Sequence, residues 1–288
     1  MKIALLISGH LGYLLFKQLL NDYLITAVFT DKNSQEIIKK CNSLSLPCFV
    51  GNPREGRASE FLKMDRPNVL LSVNYLFLIQ YDIIQWPTLV ALNVHGSLLP
   101  RYRGRTPHVW SIINGESKAG ITAHVIEEEC DSGDIVAQVS IDIEENDTGG
   151  DLLEKYKVKY PELINGTLKD IEKDSLKRVK QDEQKATYFG KRTPGDGLID
   201  WNWQRERIRN WVRAQASPYP GAFSFYKTHK LIIDEVVYSD YGFQASQTNG
   251  TILNTEHGIV VKCPNGAVMI SKLRTTLPSD LSEGYILN

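Results

Sequence analysis

Short β-branched apolar runs along the first hundred residues alternate with stretches whose apolar positions have helical spacing. KIALLIS leads into LGYLLFKQLL, LITAVFT into SQEIIKKC, PCFV into GRASEFLKM and NVLLSV into a short helix, and LVALNV closes the series. Strand and helix in alternation predict βαβ units and a mostly parallel sheet, an α/β, Rossmann-like domain. ITAHVIEE and DIVAQVSIDI read as two further strands. From Thr148 a T-x-x-D opening precedes apolar residues at Leu152, Leu153, Tyr156, Tyr160, Leu163 and Ile164, the spacing of a helix. Pro161 is expected to kink or split it.

After Ser175 the pattern turns polar, through KRVKQDEQK, and reads as a linker over 176–197. Beyond it HKLIIDEVVY, GTILNT, GIVVKCP and AVMISKL are strands punctuated by Asn249-Gly250, His257-Gly258 and Asn265-Gly266. Asn-Gly between apolar runs is a strong hairpin signal. The division expected is a catalytic domain over 1–175 and a small β-rich, OB-like barrel domain over 198–288. No internal repeat or low-complexity tract interrupts either.

Composition adds bounds. The 288 residues are 42% hydrophobic and 23% charged, the balance of a chain that buries a real core. Net charge is -1 and pI about 6.6, so no global field draws the chain to nucleic acid or an anionic membrane. The longest apolar segment, VLLSVNYLFLIQYDII, is broken by Asn74, Gln80 and Asp82 and is shorter than the roughly 20 residues of a membrane span. MKIALLISGH reads as a strand rather than a signal peptide. Cys41, Cys48, Cys130 and Cys263 form no CxxC pair and no metal-ligand spacing; buried free thiols in a reduced cytoplasm are expected.

One stretch conflicts with burial. In NVHGSLLPRYRGRTP, residues 93–107, an asparagine, a histidine and three arginines follow a buried-looking strand. Such groups are costly to bury unpaired. In a strand, residues two apart share a face, so Asn93 and His95 are presented together, at the carboxyl end where open α/β sheets bind ligands. An asparagine N–H suits a developing oxyanion, and a histidine exchanges protons near neutrality. The pair suits acyl transfer to an amine. A carboxylate is wanted beside the imidazole, and EEECDSGDIVAQ offers both Asp131 and Asp134; spacing alone does not choose between them, because either serves an Asx-turn.

A dinucleotide-binding oxidoreductase is the rival from another class. LLISGHLG after the first strand and Asp31 after the second imitate its fingerprint. However, the loop has only Gly9 and Gly12, and Ile7 stands where the first glycine belongs.

NVHGSLLPRYRG, then Asp-x-Gly before IVAQ, then YFGKRTPGDGLIDW and SPYPGAF closely resemble the formyltransferases that use N10-formyltetrahydrofolate. The resemblance spans nearly the whole chain. It is nearest to the sugar nucleotide N-formyltransferases, including the formyltransferase half of the bifunctional enzyme that modifies UDP-4-amino-4-deoxy-arabinose, and extends to methionyl-tRNA formyltransferase. By this resemblance Asn93, His95 and Asp131 match the family's triad, which selects Asp131 over Asp134. It implies direct attack of an amine on the formyl carbon: Asn93 stabilises the oxyanion, His95 accepts the proton, and Asp131 orients and supports the imidazolium. It also implies N10-formyltetrahydrofolate as cosubstrate, with no metal. The cosubstrate would bind at Asn74, Tyr75, Leu76, Phe77, Leu78 and Ile79, with Glu129 and Cys130.

Arginines suit phosphate through a planar bidentate fork, so Arg101, Arg103 and Arg105, with Ser97, Gly104 and Thr106 of the same loop, are candidates for a nucleotide sugar's diphosphate. Lys191 and Arg192 are further candidates, and His10 and Tyr13 are placed toward the sugar. Trp110 is expected in the core or behind the site. The acceptor expected is a nucleotide-linked 4-amino-4,6-dideoxy sugar in the cytoplasm, UDP-linked because the GKRTPGDGLIDW block looks most like the UDP-arabinose enzyme, on the way to a surface polysaccharide or a pseudaminic acid-type product. A homodimer is compatible with this. The alternative acceptor, methionyl-tRNA, calls for basic surface in the second domain, but residues 198–288 carry nine Lys and Arg against eight Asp and Glu.

Overall fold

The computed structural model describes all 288 residues. In chain order the elements are β1 (Lys2–Ile7), α1 (Gly9–Asp22), β2 (Leu24–Thr30), α2 (Gln35–Ser43), β3 (Cys48–Val50), β4 (Val69–Val73), α3 (Tyr81–Ile84), β5 (Val90–His95), β6 (Arg103–Gly104), α4 (Pro107–Ile113), β7 (Lys118–Val125), β8 (Ile135–Asp142), α5 (Gly149–Glu172) and β9 (Tyr188–Phe189). There follow α6 (Arg205–Gln215), β10 (Ala222–Tyr226), β11 (His229–Ser239), β12 (Ile252–Asn254), β13 (Ile259–Cys263) and β14 (Gly266–Leu273).

Seven strands form one sheet in the order β3-β2-β1-β4-β5-β7-β8. The pairs from β3 to β5 are parallel, and β7 runs antiparallel to β5. This is the α/β architecture that the alternating pattern predicts. Its centre is dry: Ile3 to Ile7 of β1 and Val69 to Val73 of β4 are buried, as strands covered on both faces must be. On one face Phe29, Phe49, Phe61 and Trp86 meet mostly edge-on, with centroids 4.9–6.4 Å apart, an arrangement that ring quadrupoles favour.

The second sheet is antiparallel, in the order β10-β11-β14-β13-β12, and forms the small β-rich domain expected from the hairpin pattern. Asn265-Gly266 joins β13 to β14 and His257-Gly258 joins β12 to β13, both as hairpin turns. Asn249-Gly250 does not make a hairpin, because β11 and β12 are not neighbours in the sheet. Gly250, at φ +86°, instead lets the C-terminal backbone approach; a Cβ there would lie 2.8 Å from the Leu287 carbonyl.

Compactness divides the chain elsewhere than at 175 and 198. One unit comprises Met1–Gly104, Gly120–Ile141 and Tyr156–Tyr188; the other comprises Arg105–Ala119, Asp142–Lys155 and Phe189–Asn288. The polar stretch expected as a linker is structured. Val179 bridges Ile135, and β9 pairs with β6. Helix α5 runs on through Pro161, which has no N–H to give the ladder. Its start is the reciprocal box expected: Thr148 Oγ1 accepts from the Asp151 N–H, and Asp151 Oδ2 accepts from the Thr148 N–H. None of the four cysteines is in a disulfide; Cys41 and Cys263 are buried, Cys48 is half-buried and Cys130 is exposed. No helix is long and apolar enough to cross a membrane.

Within the second unit His108 Nε2 and the Tyr219 hydroxyl are hydrogen-bonded at 2.6 Å. Desolvation pushes His108 down to about 4 and Tyr219 up to about 12. An unfolded histidine titrates near 6.5, so between about 6.5 and 4 the unfolded chain binds a proton that the folded chain refuses. The contribution of His108 to stability is therefore complete above about pH 6.5 and falls as the pH drops. Urea denaturation should show the wild type losing about 2 kcal/mol more than His108→Gln between pH 7 and pH 4.5. Parallel losses in the two proteins would place the acid sensitivity elsewhere.

Candidate active site

The antiparallel neighbour of β5 supplies the floor of the site. Asn93 pairs directly with His124 of β7, and His95 pairs with Thr122. After β7 the chain turns at Asp131, whose φ of +56° is a conformation that Asp tolerates better than most residues, and returns as β8. Gly133 makes that turn feasible, since a Cβ there would lie 2.1 Å from the Val125 carbonyl. The turn swings Asp131 back over β5: its carboxylate lies 3.4 Å from Asn93 Nδ2, 3.6 Å from His95 Nδ1 and 3.5 Å from His124 Nε2. Asn93, His95 and Asp131 are therefore brought together at the end of β5. Asp134 stays outside this group.

The roles of the two imidazole nitrogens follow from their partners. His95 Nε2 lies 2.8 Å from the Tyr102 carbonyl, which can only accept, so the proton sits on Nε2. Nδ1 of the neutral ring is then a lone pair facing Asp131. A proton taken up there would stand beside a carboxylate, so the carboxylate favours the imidazolium. The Tyr102 carbonyl holds the ring at Nε2, whereas the resemblance implies that Asp131 orients it. Burial alone would push the Asp131 carboxyl up. In the acid range where carboxyls titrate, the charge of protonated His95, the hydrogen bond and charge of protonated His124, and the Gly104 N–H at 2.9 Å hold it well below its ordinary range. At neutral pH it is ionised.

The basic loop divides. Arg103 is fully buried and points inward: its guanidinium donates to both carboxylate oxygens of Glu183 at 2.6 and 2.8 Å, to Gln181 Oε1 at 2.8 Å and to the Tyr188 hydroxyl at 2.6 Å. With its fork taken, Arg103 holds the loop and is not presented to a phosphate. Gln181 relays this hold, since its Nε2 donates to the carbonyls of Asp131 at 2.8 Å and Gly133 at 2.7 Å. Ser97 is likewise spent, donating to the Arg101 carbonyl at 2.7 Å. Gly104 contributes its N–H to Asp131. Arg101 and Arg105 are exposed, and Thr106 stands at the N-cap position of α4 without making a capping bond, its hydroxyl buried and without a partner.

The expected cosubstrate loop is half anchored. Tyr75 and Ile79 pack on the core and Tyr75 meets Phe77 edge-on at 5.5 Å, while Leu76 and Leu78 are 42% and 56% exposed. Asn74 donates to the Ser8 carbonyl at 3.0 Å, tying the loop to the end of β1. Glu129 and Cys130 are exposed beside Asp131. His10 is exposed with Nδ1 3.2 Å from Glu36, and Lys17 lies over the half-buried Tyr13 ring. In the second unit Lys191 is exposed, but Arg192 is sandwiched between Trp110 and Trp211, with guanidinium-to-centroid distances of 5.0 and 4.3 Å, and donates to the Asp196 carbonyl and Gln215. That guanidinium, too, is used internally. Asp31, the ribose partner of the oxidoreductase reading, is buried and accepts from Ser34 and the Asn33 N–H.

His124 and Gln181 were missed in the sequence. The position of His124 in ITAHVIEE, one strand from Asn93, was the only signal it gave. Gln181 lay in a stretch whose polarity reads as a linker.

Residues 1–167 match the family model described as formyl transferase, and residues 191–278 match that of the formyl transferase C-terminal domain. The chain belongs to the formyl transferase family. It is 33% identical over its whole length to the bifunctional polymyxin resistance protein ArnA of Wigglesworthia glossinidia brevipalpis, of which it spans 45%. It is 34% identical over 78% of its length to the methionyl-tRNA formyltransferase of Ruminiclostridium cellulolyticum, covering 73% of that protein. Among solved structures, WlaRD, a sugar 3N-formyl transferase crystallised with dTDP and 5-N-formyl-THF, superposes with a TM-score of 0.71 over 96% of this chain and 99% of that one; at 18% identity the likeness is one of fold.

The relay from Arg103 to the Asp131 turn gives an expectation of its own. Arg103→Met leaves Gln181 and Glu183 without their buried partner, so turnover should fall at least tenfold while Arg101→Met, on the exposed side of the same loop, should lose less through this route. Steady-state assays with saturating cosubstrate would check it. Wild-type turnover in Arg103→Met would remove the relay from the account.

Proposed function

We propose that this chain transfers the formyl group of N10-formyltetrahydrofolate to the amino group of a nucleotide-linked amino dideoxy sugar, the acceptor being a UDP-linked 4-amino-4,6-dideoxy sugar handled in the cytoplasm. The observation that carries the reading is the convergence of Asn93, His95 and Asp131 at the carboxyl end of β5, with His95 Nδ1 facing a carboxylate. Asn93 Nδ2 donates to the oxygen on which negative charge develops. His95 takes the proton of the attacking amine at Nδ1, and Asp131 supports the cation so formed. As the tetrahedral adduct collapses, the bond from the formyl carbon to N10 breaks and that proton passes to N10 of the departing tetrahydrofolate. No covalent bond to the protein is needed. The half-exposed Leu76 and Leu78 on an otherwise anchored loop suit a flat heterocycle such as a pterin, and Arg101 and Arg105, exposed on the loop after β5, suit a diphosphate. The structure of WlaRD with dTDP and a formyl-THF supports this substrate class; UDP follows the resemblance carried by GKRTPGDGLIDW.

Methionyl-tRNA is the competing acceptor, on the strength of the second relative. The arginines of α6 argue against it. Arg207 donates to the Ile113 carbonyl and Asn114, Arg209 to Asn146, and Arg213 to the Asp147 carbonyl and Asn210, so the most basic helix spends its guanidinium groups inside its own unit.

Asn93→Ala and His95→Ala should each lower turnover by about two to four orders of magnitude with nucleotide sugar binding retained. Asp131→Asn should be strongly impaired and Asp134→Asn mildly; equal losses would misplace the supporting carboxylate. Activity on an amino sugar nucleotide should vary little with salt, and methionyl-tRNA should not be formylated. Efficient formylation of charged initiator tRNA, falling steeply and log-linearly with salt, would favour the competing acceptor and leave the triad in place.

A further inference from the structure

His124 has no part in the roles assigned above, yet it is almost fully buried at the bottom of the site and faces two of the three groups. Its Nδ1 lies 2.8 Å from the Val125 carbonyl. A carbonyl only accepts, so the proton of the neutral ring is on Nδ1 and Nε2 is a bare lone pair. The nearest partner of that lone pair is Asn93 Nδ2 at 3.2 Å, across the β5–β7 pair, with Asp131 Oδ1 at 3.5 Å.

These contacts fix which end of the Asn93 amide faces the site. With Nδ2 toward His124, one N–H is donated to the imidazole, and the other makes only a 3.4 Å contact with Asp131 Oδ1, leaving it available to an incoming oxygen. With the amide turned over, its carbonyl oxygen would face both the Nε2 lone pair and the Asp131 carboxylate, two repulsions in a poorly solvated place, and would offer no donor to a developing oxyanion. A protonated His124 would reverse the preference, since its Nε2–H repels the amide N–H groups and seeks the carboxylate. We infer that His124 is the positioning residue for Asn93: as the neutral Nδ1–H tautomer it sets the amide so that an N–H, not the carbonyl oxygen, is presented to the reacting formyl group. The inference rests on the oxyanion role proposed for Asn93.

The test combines a kinetic cycle with a direct reading of the tautomer. Turnover would be measured, on the nucleotide amino sugar that the wild type formylates, for His124→Leu, His124→Gln, Asn93→Ala and Asn93→Ala combined with each His124 variant. If His124 acts through Asn93, His124→Leu lowers kcat ten- to a hundredfold with KM for both substrates within about threefold, and costs less than about twofold more once Asn93 is alanine. His124→Gln, which keeps an acceptor, should recover part of the loss, and it carries the cycle if the leucine variant does not fold. Nitrogen-15 NMR of the wild-type histidines at pH 8, above the ordinary imidazole range, should show His124 protonated on Nδ1. Full turnover in His124→Leu, losses that multiply in the double variants, or an Nε2–H tautomer would each overturn the inference. Wild-type turnover in Asn93→Ala would instead refute the role of Asn93 and, with it, the reason to position it, so the two failures are told apart.

Discussion

A carboxylate withdrawn from water between two imidazoles is the constraint around which the site is built. Asp131 can stay ionised there only if every oxygen is met, because an uncompensated buried charge costs several kcal/mol. The Gly104 N–H meets one oxygen, in a charge-assisted bond of the kind that contributes about 1.5–3 kcal/mol, while an N–H of Asn93 faces the other at 3.4 Å. The backbone of the turn is pinned in turn by Gln181, and Gln181 by Arg103. The most basic part of the motif thus has an architectural member: Arg103 fixes where the negative charge sits, and that charge decides where a proton is welcome.

The parallel sheet was legible because strands buried on both faces have little freedom in composition, and the Thr148 box because its two residue types satisfy each other's backbone. Asn93 and His95 were legible as a pair through strand periodicity. Partners contributed from far along the chain were not. Nothing local tells that Gln181 in a charged tract turns inward, or that the middle of three arginines is buried while its neighbours are exposed; the positive φ of Tyr102 breaks the strand alternation on which such a reading depends. The orientation of His95 by a main-chain carbonyl is invisible in side-chain identities altogether.

The same economy of cations bears on the acceptor. The second domain is nearly neutral, with nine Lys and Arg against eight Asp and Glu over 198–288, and Arg207, Arg209 and Arg213 of α6 bond to carbonyls and amides of their own unit while Arg192 is held between two indoles. A guanidinium that satisfies carbonyls keeps its charge but has its donors engaged, which leaves fewer for direct phosphate contacts. The cations left outward on the loop after β5 are few, a number suited to one diphosphate rather than to a nucleic acid backbone.

The central claim, direct transfer of a formyl group to a sugar amine, is tested most directly by following the formyl carbon. N10-formyltetrahydrofolate labelled with carbon-13 at that carbon would be incubated with the enzyme and a UDP-linked 4-amino-4,6-dideoxy sugar, and the products read by NMR and mass. The account predicts the label in a formamide on the sugar nitrogen, formed only when the amine is present. Label released as free formate, at the same rate with and without the amine, would contradict it.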